Sequence, residues 1–197
     1  MKAIVLKTLS YQDTGRIVTL FTDEEGLISL LIKRISQKNI TLQNITSPFA
    51  LSEFQISKGK GTLYHFQDAT LIDAFIELRR DLDRFIAAQR ILQTLLRSQP
   101  EGKSSPPLFR LLTSYLIALK ESPSPKHYSI SFICKLLRYE GLFALEHSEF
   151  PFPLQKDEWE ALCTLAYATS HEAIISTPLP TQIEEKLSSI FSSAFCL

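Results

Sequence analysis

Neither sign of charge is in excess in this chain of 197 residues. Lysine and arginine total 21, aspartate and glutamate also total 21, and the formal net charge is zero. This balance excludes a uniformly basic nucleic-acid binder of the histone kind. With 45% hydrophobic and 21% charged residues, the chain can still bury a core, which excludes a disordered tail and a fibrous repeat.

Cysteine is scarce and lacks the spacing of a metal site. Three cysteines are present, Cys134, Cys163 and Cys196, and no two of them form a C-x-x-C pair. A zinc site needs four ligands, which these cysteines and His147 could supply only if the tertiary fold assembled them. We therefore predict buried thiols in a reducing compartment, no structural metal and no cofactor.

Long apolar runs and export signals are also absent. No run approaches the roughly 18 residues of a membrane span, and the start of the chain has no apolar h-region with a cleavage site. We expect a soluble, cytoplasmic protein with no membrane partner.

Catalytic signatures are missing too. The chain contains no P-loop, dinucleotide-binding, zinc-protease or nucleophile-elbow motif, and no carboxylate or histidine cluster at the spacing of a hydrolase or nuclease. A Cys163 and His147 pair is better explained as an unreactive thiol and an unrelated histidine. We predict that the protein is not an enzyme and has no catalytic residue.

The charges that are present are unevenly distributed. Residues 1–140 carry 19 Lys and Arg against 13 Asp and Glu, a balance of +6, whereas residues 141–197 carry 2 against 8, a balance of −6. Such asymmetry points to a polyanion-binding body with an acidic end.

The first seventy residues have the pattern of strands. Short runs rich in β-branched and aromatic residues alternate with turn signals, at 3–8, 16–22, 27–35, 49–57 and 62–70. Five strands with tight turns predict a small barrel. The apolar phase in the fourth run changes from odd (Phe49, Leu51) to even (Phe54, Ile56), which predicts a bulge in that strand. No helix is predicted in the polar connection 36–47.

Helical periodicity begins at Asp73 and is interrupted after Gly141 by an irregular segment with prolines at 151 and 153. The spacing predicts helices over 73–97, 108–120, 128–140 and 156–169, and a last one after Pro180. Gly141 stands where a C-capping glycine would end the third of these. The fold class is therefore α+β, and the predicted domains are 1–72 and 73–197.

Basic residues on and beside the strands are candidates for binding nucleic acid. Glycines in the turn KGKG at 58–61 let the backbone approach a phosphate, while its lysines neutralise the charge; a solvated hairpin tip has the same sequence. Tyr11, Tyr64 and Phe66 could stack on bases, although core packing explains Phe66 better. The predicted nucleic-acid-binding residues are Lys7, Arg16, Lys33, Arg34, Lys38, Lys58, Lys60 and Tyr64.

Several motifs occur in an order that resembles one family. They are AIVLKT at 3–8, Tyr11, IVTLFT at 17–22, EEGLIS at 24–29, SPF at 47–49, GTLY at 61–64 and FIELRRDL at 75–82. This order resembles the RecO family of bacterial recombination mediators. The similarity covers residues 1–85 and continues more faintly through LLRYEGL at 136–142.

The resemblance implies both a fold and a function. It implies an N-terminal five-stranded OB-fold barrel followed by an all-helical C-terminal domain, binding of single- and double-stranded DNA, and strand annealing. The implied partners are RecR and the acidic tail of single-stranded DNA-binding protein, and together they help RecA to load on gapped DNA. This chain is shorter than typical members, and residues 145–149 replace the C-x-x-C pair of many members.

An acidic tail with an apolar terminus needs an apolar slot rimmed by cations. The candidate residues for this slot are Phe109, Arg110, Tyr115, Lys135 and Arg138. Alternatively, Phe109 and Leu112 are core residues and the cations are only solvated. The alternative function is that of a protein-interaction adaptor whose barrel binds nucleic acid weakly or not at all.

Overall fold

The computed structural model describes residues 1–35, 39–59, 63–143 and 154–195. The strands are β1 Lys2–Tyr11, β2 Gly15–Thr22, β3 Gly26–Ile32, β4 Leu51–Lys58 and β5 Leu63–Asp73. The helices of the described ranges are α1 Ile40–Ile45, α2 Ile76–Arg80, α3 Leu82–Ser98, α4 Pro106–Leu119, α5 Pro125–Tyr139, α6 Lys156–Tyr167, α7 His171–Ser176 and α8 Ile183–Phe195.

The five strands form a closed barrel in the order β1-β2-β3-β5-β4. Neighbouring strands are antiparallel except β3 and β5, which run parallel. Helices follow the barrel. The predicted α+β class, a five-stranded OB-fold barrel followed by a helical region, is confirmed.

Alternating side chains divide the barrel between two cores. One phase of each strand, such as Val18, Leu20 and Leu30, fills the barrel interior. In the opposite phase, Phe21 and Leu27 join the core of the helical region. The ring of Phe21 lies 6.3 Å from that of Phe109 on α4. The helical region is thus packed directly onto the outside of the barrel.

The predicted bulge in the fourth strand is wrong. β4 is apolar in both phases because Leu51 packs in the helical core and Phe54 in the barrel interior. The register between β4 and β5 does shift twice, but each shift skips a residue of β5, Ile72 and Gln67. The extra residues belong to the partner strand, so the change of phase in β4 reflects burial on both faces.

Helix α1 lies in the connection where the sequence predicts no helix. The side chain of Asn39 accepts a hydrogen bond from the Leu42 amide at 3.0 Å and thereby caps the helix N-terminus. Ile45 and Leu42 pack against the barrel interior. Tertiary burial stabilises this short helix, which its local sequence would not specify.

The long helix predicted over 73–97 is in fact two helices. Asp81 has an extended backbone, with φ −123° and ψ 124°, and its carboxylate accepts a hydrogen bond from the Arg84 amide. It therefore ends α2 and caps α3. The apolar period runs through the break, so periodicity alone does not reveal it.

The remaining helices pack around α5. Prolines at the first turn begin α4 and α5. The predicted glycine cap is confirmed: Gly141 has φ +73° and follows the end of α5. Ser170 caps the short helix α7, which the sequence analysis did not predict, and α8 follows Pro180 as expected.

Two further observations concern only the described residues. None of the helices in those residues combines the length and the apolar character that crossing a membrane requires. No group of three or more His, Cys, Asp or Glu side chains is gathered there in a way that could hold a metal ion. His147, Cys196 and residues 145–149 lie outside the described ranges.

Candidate nucleic-acid interface

The outer surface of β1, β2 and β3 is solvent-accessible over the half of the barrel that lies away from the helical core. Residues paired across neighbouring strands lie on the same face of a sheet. The pairing therefore forms two rows, Lys7 with Thr19 and Ser29, and Leu9 with Ile17 and Leu31. Neither row belongs to the barrel interior. We call these residues, together with Tyr11 and Lys33 at the strand ends, the exterior face.

The exterior face combines cations with exposed apolar groups. Lys7 and Lys33 are exposed, and Leu9 and Tyr11 are 50% and 37% exposed. A bulge in β1 positions Lys7, because the pairing of β1 with β2 skips Leu6. The side chain of Leu6 packs in the helical core, whereas Lys7 faces solvent. Ammonium groups beside an aromatic ring and aliphatic side chains are suited to phosphates and the faces of bases.

A second group of cations lies at the open end of the β2–β3 hairpin. Arg16 pairs with Ile32 and donates a hydrogen bond from Nη1 to Thr46 Oγ1 at 2.8 Å. Lys33 and Arg34 follow directly after β3, both exposed, and neither makes an ion pair within the described part of the chain. Two free cations and one anchored guanidinium therefore meet at this end.

Lys58 and Tyr64 are engaged with a carboxylate. Lys58 Nζ lies 3.7 Å from Glu25 Oε1 and 5.9 Å from the centre of the Tyr64 ring. The Tyr64 hydroxyl donates a hydrogen bond to Glu25 Oε2. This hydrogen bond, then burial and the charge of Glu25, raise the pKa of Tyr64 to about 12. The Glu25 carboxylate therefore engages Lys58 and Tyr64, two of the residues that the sequence analysis predicted to bind nucleic acid.

The two groups of predicted DNA-binding residues are separated along the hairpin. Glu25, which holds Lys58, lies in the β2–β3 turn, whereas Arg16 pairs with Ile32 at the other end of β3. At ~3.3 Å per residue, that strand spans about 20 Å. Lys7 lies between them, in the row of Ser29. Lys38 and Lys60 lie outside the described residues.

The residues predicted for partner binding are divided between the core and the surface. Phe109 and Tyr115 are 7% and 5% exposed, and the Tyr115 hydroxyl lies 2.8 Å from Ser131 Oγ. Burial raises the pKa of Tyr115. Phe109 therefore has the core position that the alternative describes, and Tyr115, which was predicted to line the slot, is buried in the core as well. Arg110 is exposed on α4.

Lys135 and Arg138 line a cavity between α4, α5 and α6. The cavity measures about 560 Å³ and its apolar wall includes Leu108 and Leu111. Lys135 Nζ donates to the Ala168 carbonyl at 2.6 Å, and burial, with the charge of Arg138, lowers the pKa of that lysine. The Arg138 guanidinium lies 4.3 Å from the centre of the Tyr167 ring. Sequence reasoning missed Tyr167, because α6 meets α5 only in the tertiary fold.

Two family models match the chain. The model described as "Recombination protein O N terminal" matches residues 1–75, and that described as "Recombination protein O C terminal" matches residues 79–146. Together they cover the barrel and the helices up to the end of α5. Segment 154–195 lies beyond both matches.

Curated relatives agree with these models. The proteins named "DNA repair protein RecO" include one from Syntrophobacter fumaroxidans, 31% identical over 147 residues, which are 74% of this chain and 58% of that protein. One from Caldicellulosiruptor saccharolyticus is 28% identical over 72% of this chain and 58% of its own length. One from Bacillus pumilus is 35% identical over 61% of this chain and 46% of its own length.

The chain spans about half to three fifths of the length of these relatives. The match nevertheless includes both family models in their expected order, on a closed barrel followed by helices. The chain belongs to the RecO family of DNA repair proteins.

Proposed function

We propose that this RecO-family chain is a non-enzymatic DNA repair and recombination mediator that binds single- and double-stranded DNA on its barrel. The observation that carries the proposal is the exterior face, where the exposed lysines Lys7 and Lys33 flank Leu9 and Tyr11. The relatives' name supports it, since those proteins are called DNA repair proteins.

Phosphate contacts dominate the proposed interaction. Lys7, Lys33 and Arg34 are exposed and make no ion pair with the residues that the structure describes, so they can neutralise phosphates, and Arg16 adds a guanidinium held by Thr46. Bases stack on the Tyr11 ring, with little dependence on sequence, because every base has a π face. Neutralising the phosphates of two strands lowers their repulsion, which is the requirement for annealing them.

A partner site is proposed at the cavity that Lys135 and Arg138 line. The acidic tail of single-stranded DNA-binding protein would insert its apolar terminus beside Leu108 and Leu111, with its carboxylates facing Lys135 and Arg138. With RecR, whose contact surface we do not assign, binding of this tail would help RecA to replace single-stranded DNA-binding protein on gapped DNA.

DNA binding is tested by a fluorescence anisotropy titration with a labelled single-stranded oligonucleotide at several salt concentrations. If about four phosphates are neutralised, log affinity should fall against log salt with a slope of about −3. Replacing Lys7, Lys33 and Arg34 by glutamine should reduce that slope by about 2. The matched control replaces three exposed cations outside the barrel, Arg97, Lys103 and Lys156, by glutamine. Salt-independent binding, or equal losses in both proteins, would contradict the proposal.

The tail site is tested with a labelled acidic tail peptide. Arg138→Glu should weaken binding about tenfold or more, because it reverses the charge beside the ligand's carboxylates. Arg110→Glu tests how far the site extends over α4. Unchanged affinity in both variants, with folding intact, would locate the tail elsewhere.

One observation favours the adaptor as a second candidate. Glu25 already engages Lys58 and Tyr64, which removes two of the predicted DNA contacts in the free protein. The adaptor predicts binding of the tail peptide without measurable DNA binding, even at low salt. The two titrations above therefore separate the two functions.

A further inference from the structure

A groove of about 670 Å³ lies between α6 and the segment 173–180 that leads to α8. Asp157, Glu160, Ala161 and Thr164 form its α6 side, at the three- and four-residue spacing of one helical face. The groove is independent of the exterior face and of the cavity between α4 and α6. It also lies in the segment beyond both family matches.

The wall opposite α6 is held in place. His127 Nε2 donates to the Thr177 carbonyl at 3.1 Å, and Thr177 Oγ1 donates to the Ala173 carbonyl at 2.7 Å. Pro178 and Pro180 restrict the backbone that follows. Because this wall is already ordered, a ligand that binds against it pays little free energy for ordering the protein.

The lining of the groove is apolar and its edge is acidic. Ala161, which is 7% exposed, and the proline wall form the apolar surface. Asp157 and Glu160 are exposed at the edge. Lys156 lies 3.9 Å from Glu160, but the two side chains are 86% and 65% exposed, so the pair neutralises little of this charge.

The whole segment strengthens the negative field around the groove. Residues 154–195 contain two lysines against six acidic residues, a balance of −4. Lys186 and Glu158 neutralise each other at 2.6 Å, and Glu184 is paired with Arg90 and Lys126. The exposed acids Asp157, Glu160, Glu172 and Glu185 therefore remain against Lys156. A phosphate backbone would be repelled here, whereas a basic peptide would be attracted.

We propose that this groove docks a basic segment of a partner protein. An aliphatic side chain of that segment would insert against Ala161 and the proline wall, while flanking lysine or arginine side chains would face Asp157 and Glu160. Because the groove and the exterior face attract ligands of opposite charge, the chain could hold this partner and DNA at the same time.

The probe is a fluorescein-labelled nine-residue peptide with one leucine between two pairs of lysines, titrated by anisotropy at about 0.15 M salt. Companion peptides replace the leucine by serine or the lysines by glutamate. We expect the first peptide to bind, the serine peptide to bind about tenfold more weakly and the glutamate peptide not to bind.

Two variants test the location. Asp157→Lys combined with Glu160→Lys should weaken binding about tenfold or more, since two attractions become repulsions. Thr164→Trp should do the same by filling the groove with an indole. The charge-matched control, Asp83→Lys with Glu121→Lys, changes exposed acids that lie outside residues 154–195 and do not line the groove, and should alter affinity less than about twofold.

Three results would overturn the proposal. The first is no binding of the leucine peptide up to about 1 mM, which corresponds to only about −4 kcal/mol. The second is an equal loss of affinity in the groove variant and in its charge-matched control. The third is an unchanged affinity in Thr164→Trp. Circular dichroism melting of each variant confirms that the folded protein is being compared. DNA titrations of the same variants should stay within about twofold of the parent, since the groove lies outside the DNA site.

Discussion

Replacing Glu25 by glutamine should increase the affinity of the barrel for DNA. In the free protein this carboxylate contacts both Lys58 and Tyr64. A phosphate that binds Lys58 must compete with Glu25 and is also repelled by it. The substitution removes the charge, while the amide oxygen can still accept a hydrogen bond from the Tyr64 hydroxyl.

The magnitude follows from the distance and the exposure of the pair. Lys58 Nζ and Glu25 Oε1 are 3.7 Å apart, which corresponds to an attraction of about 1 kcal/mol in water. The side chains are 75% and 37% exposed, and pairs of this kind contribute ~0–1 kcal/mol. Releasing Lys58 should therefore raise DNA affinity by up to about fivefold at low salt. One additional phosphate contact should steepen the salt slope by about 0.7.

The neighbouring residue provides a matched control. Glu24 is exposed in the same turn, and it makes no hydrogen bond or ion pair within the described residues. Glu24→Gln changes the net charge by the same amount without releasing Lys58. Anisotropy titrations at about 50 mM and 200 mM salt should give a larger gain, and the steeper slope, only for Glu25→Gln.

The same pair gives a spectroscopic readout. The hydrogen bond to Glu25 is the largest cause of the raised pKa of Tyr64. The pKa of this phenol should therefore fall below about 12 in Glu25→Gln and remain at about 12 in Glu24→Gln. Because the chain has six tyrosines, the difference between the two variants in absorbance near 295 nm during an alkaline titration isolates the change at Tyr64. Equal DNA affinities and equal slopes for the two variants would refute the reasoning.

Three further predictions concern stability. Gly26→Ala should destabilise the fold by more than about 1 kcal/mol, measured by urea unfolding, because φ is +71° and the new Cβ would lie 1.9 Å from the Lys103 carbonyl oxygen. Glu158→Gln should cost about 1–3 kcal/mol at pH 7, because hydrogen bonding to Lys186 lowers the pKa of Glu158 below 4.5. That contribution is present above pH 4.5 and is lost as the pH falls through the folded-state pKa, so thermal melts of parent and variant should converge in acid. A chelator should leave the melting temperature unchanged, since the buried thiol of Cys134 has its pKa raised and acts as an apolar group; a fall of several degrees, with zinc found by elemental analysis, would contradict this.

Local signals in the sequence predict most of the elements. β-branched runs with glycine-containing turns predict the strands, and Gly141 predicts the end of α5, because turns and caps depend on a few adjacent residues. The same local reasoning fails at Asp81, where a capping carboxylate interrupts an apolar period that continues through the break. It also fails at α1, which is stabilised by packing Ile45 into the barrel.

The sequence by itself determines that five strands precede a helical region, the family motifs and the cations available for DNA. Only the tertiary structure decides which cations are free. Lys7 and Lys33 face solvent, Arg16 donates to Thr46, and Lys58 lies against Glu25, 33 positions earlier in the chain. The reason is physical: whether a charge is free depends on distances of a few ångströms through space, and these are set by strand pairing rather than by neighbours in sequence.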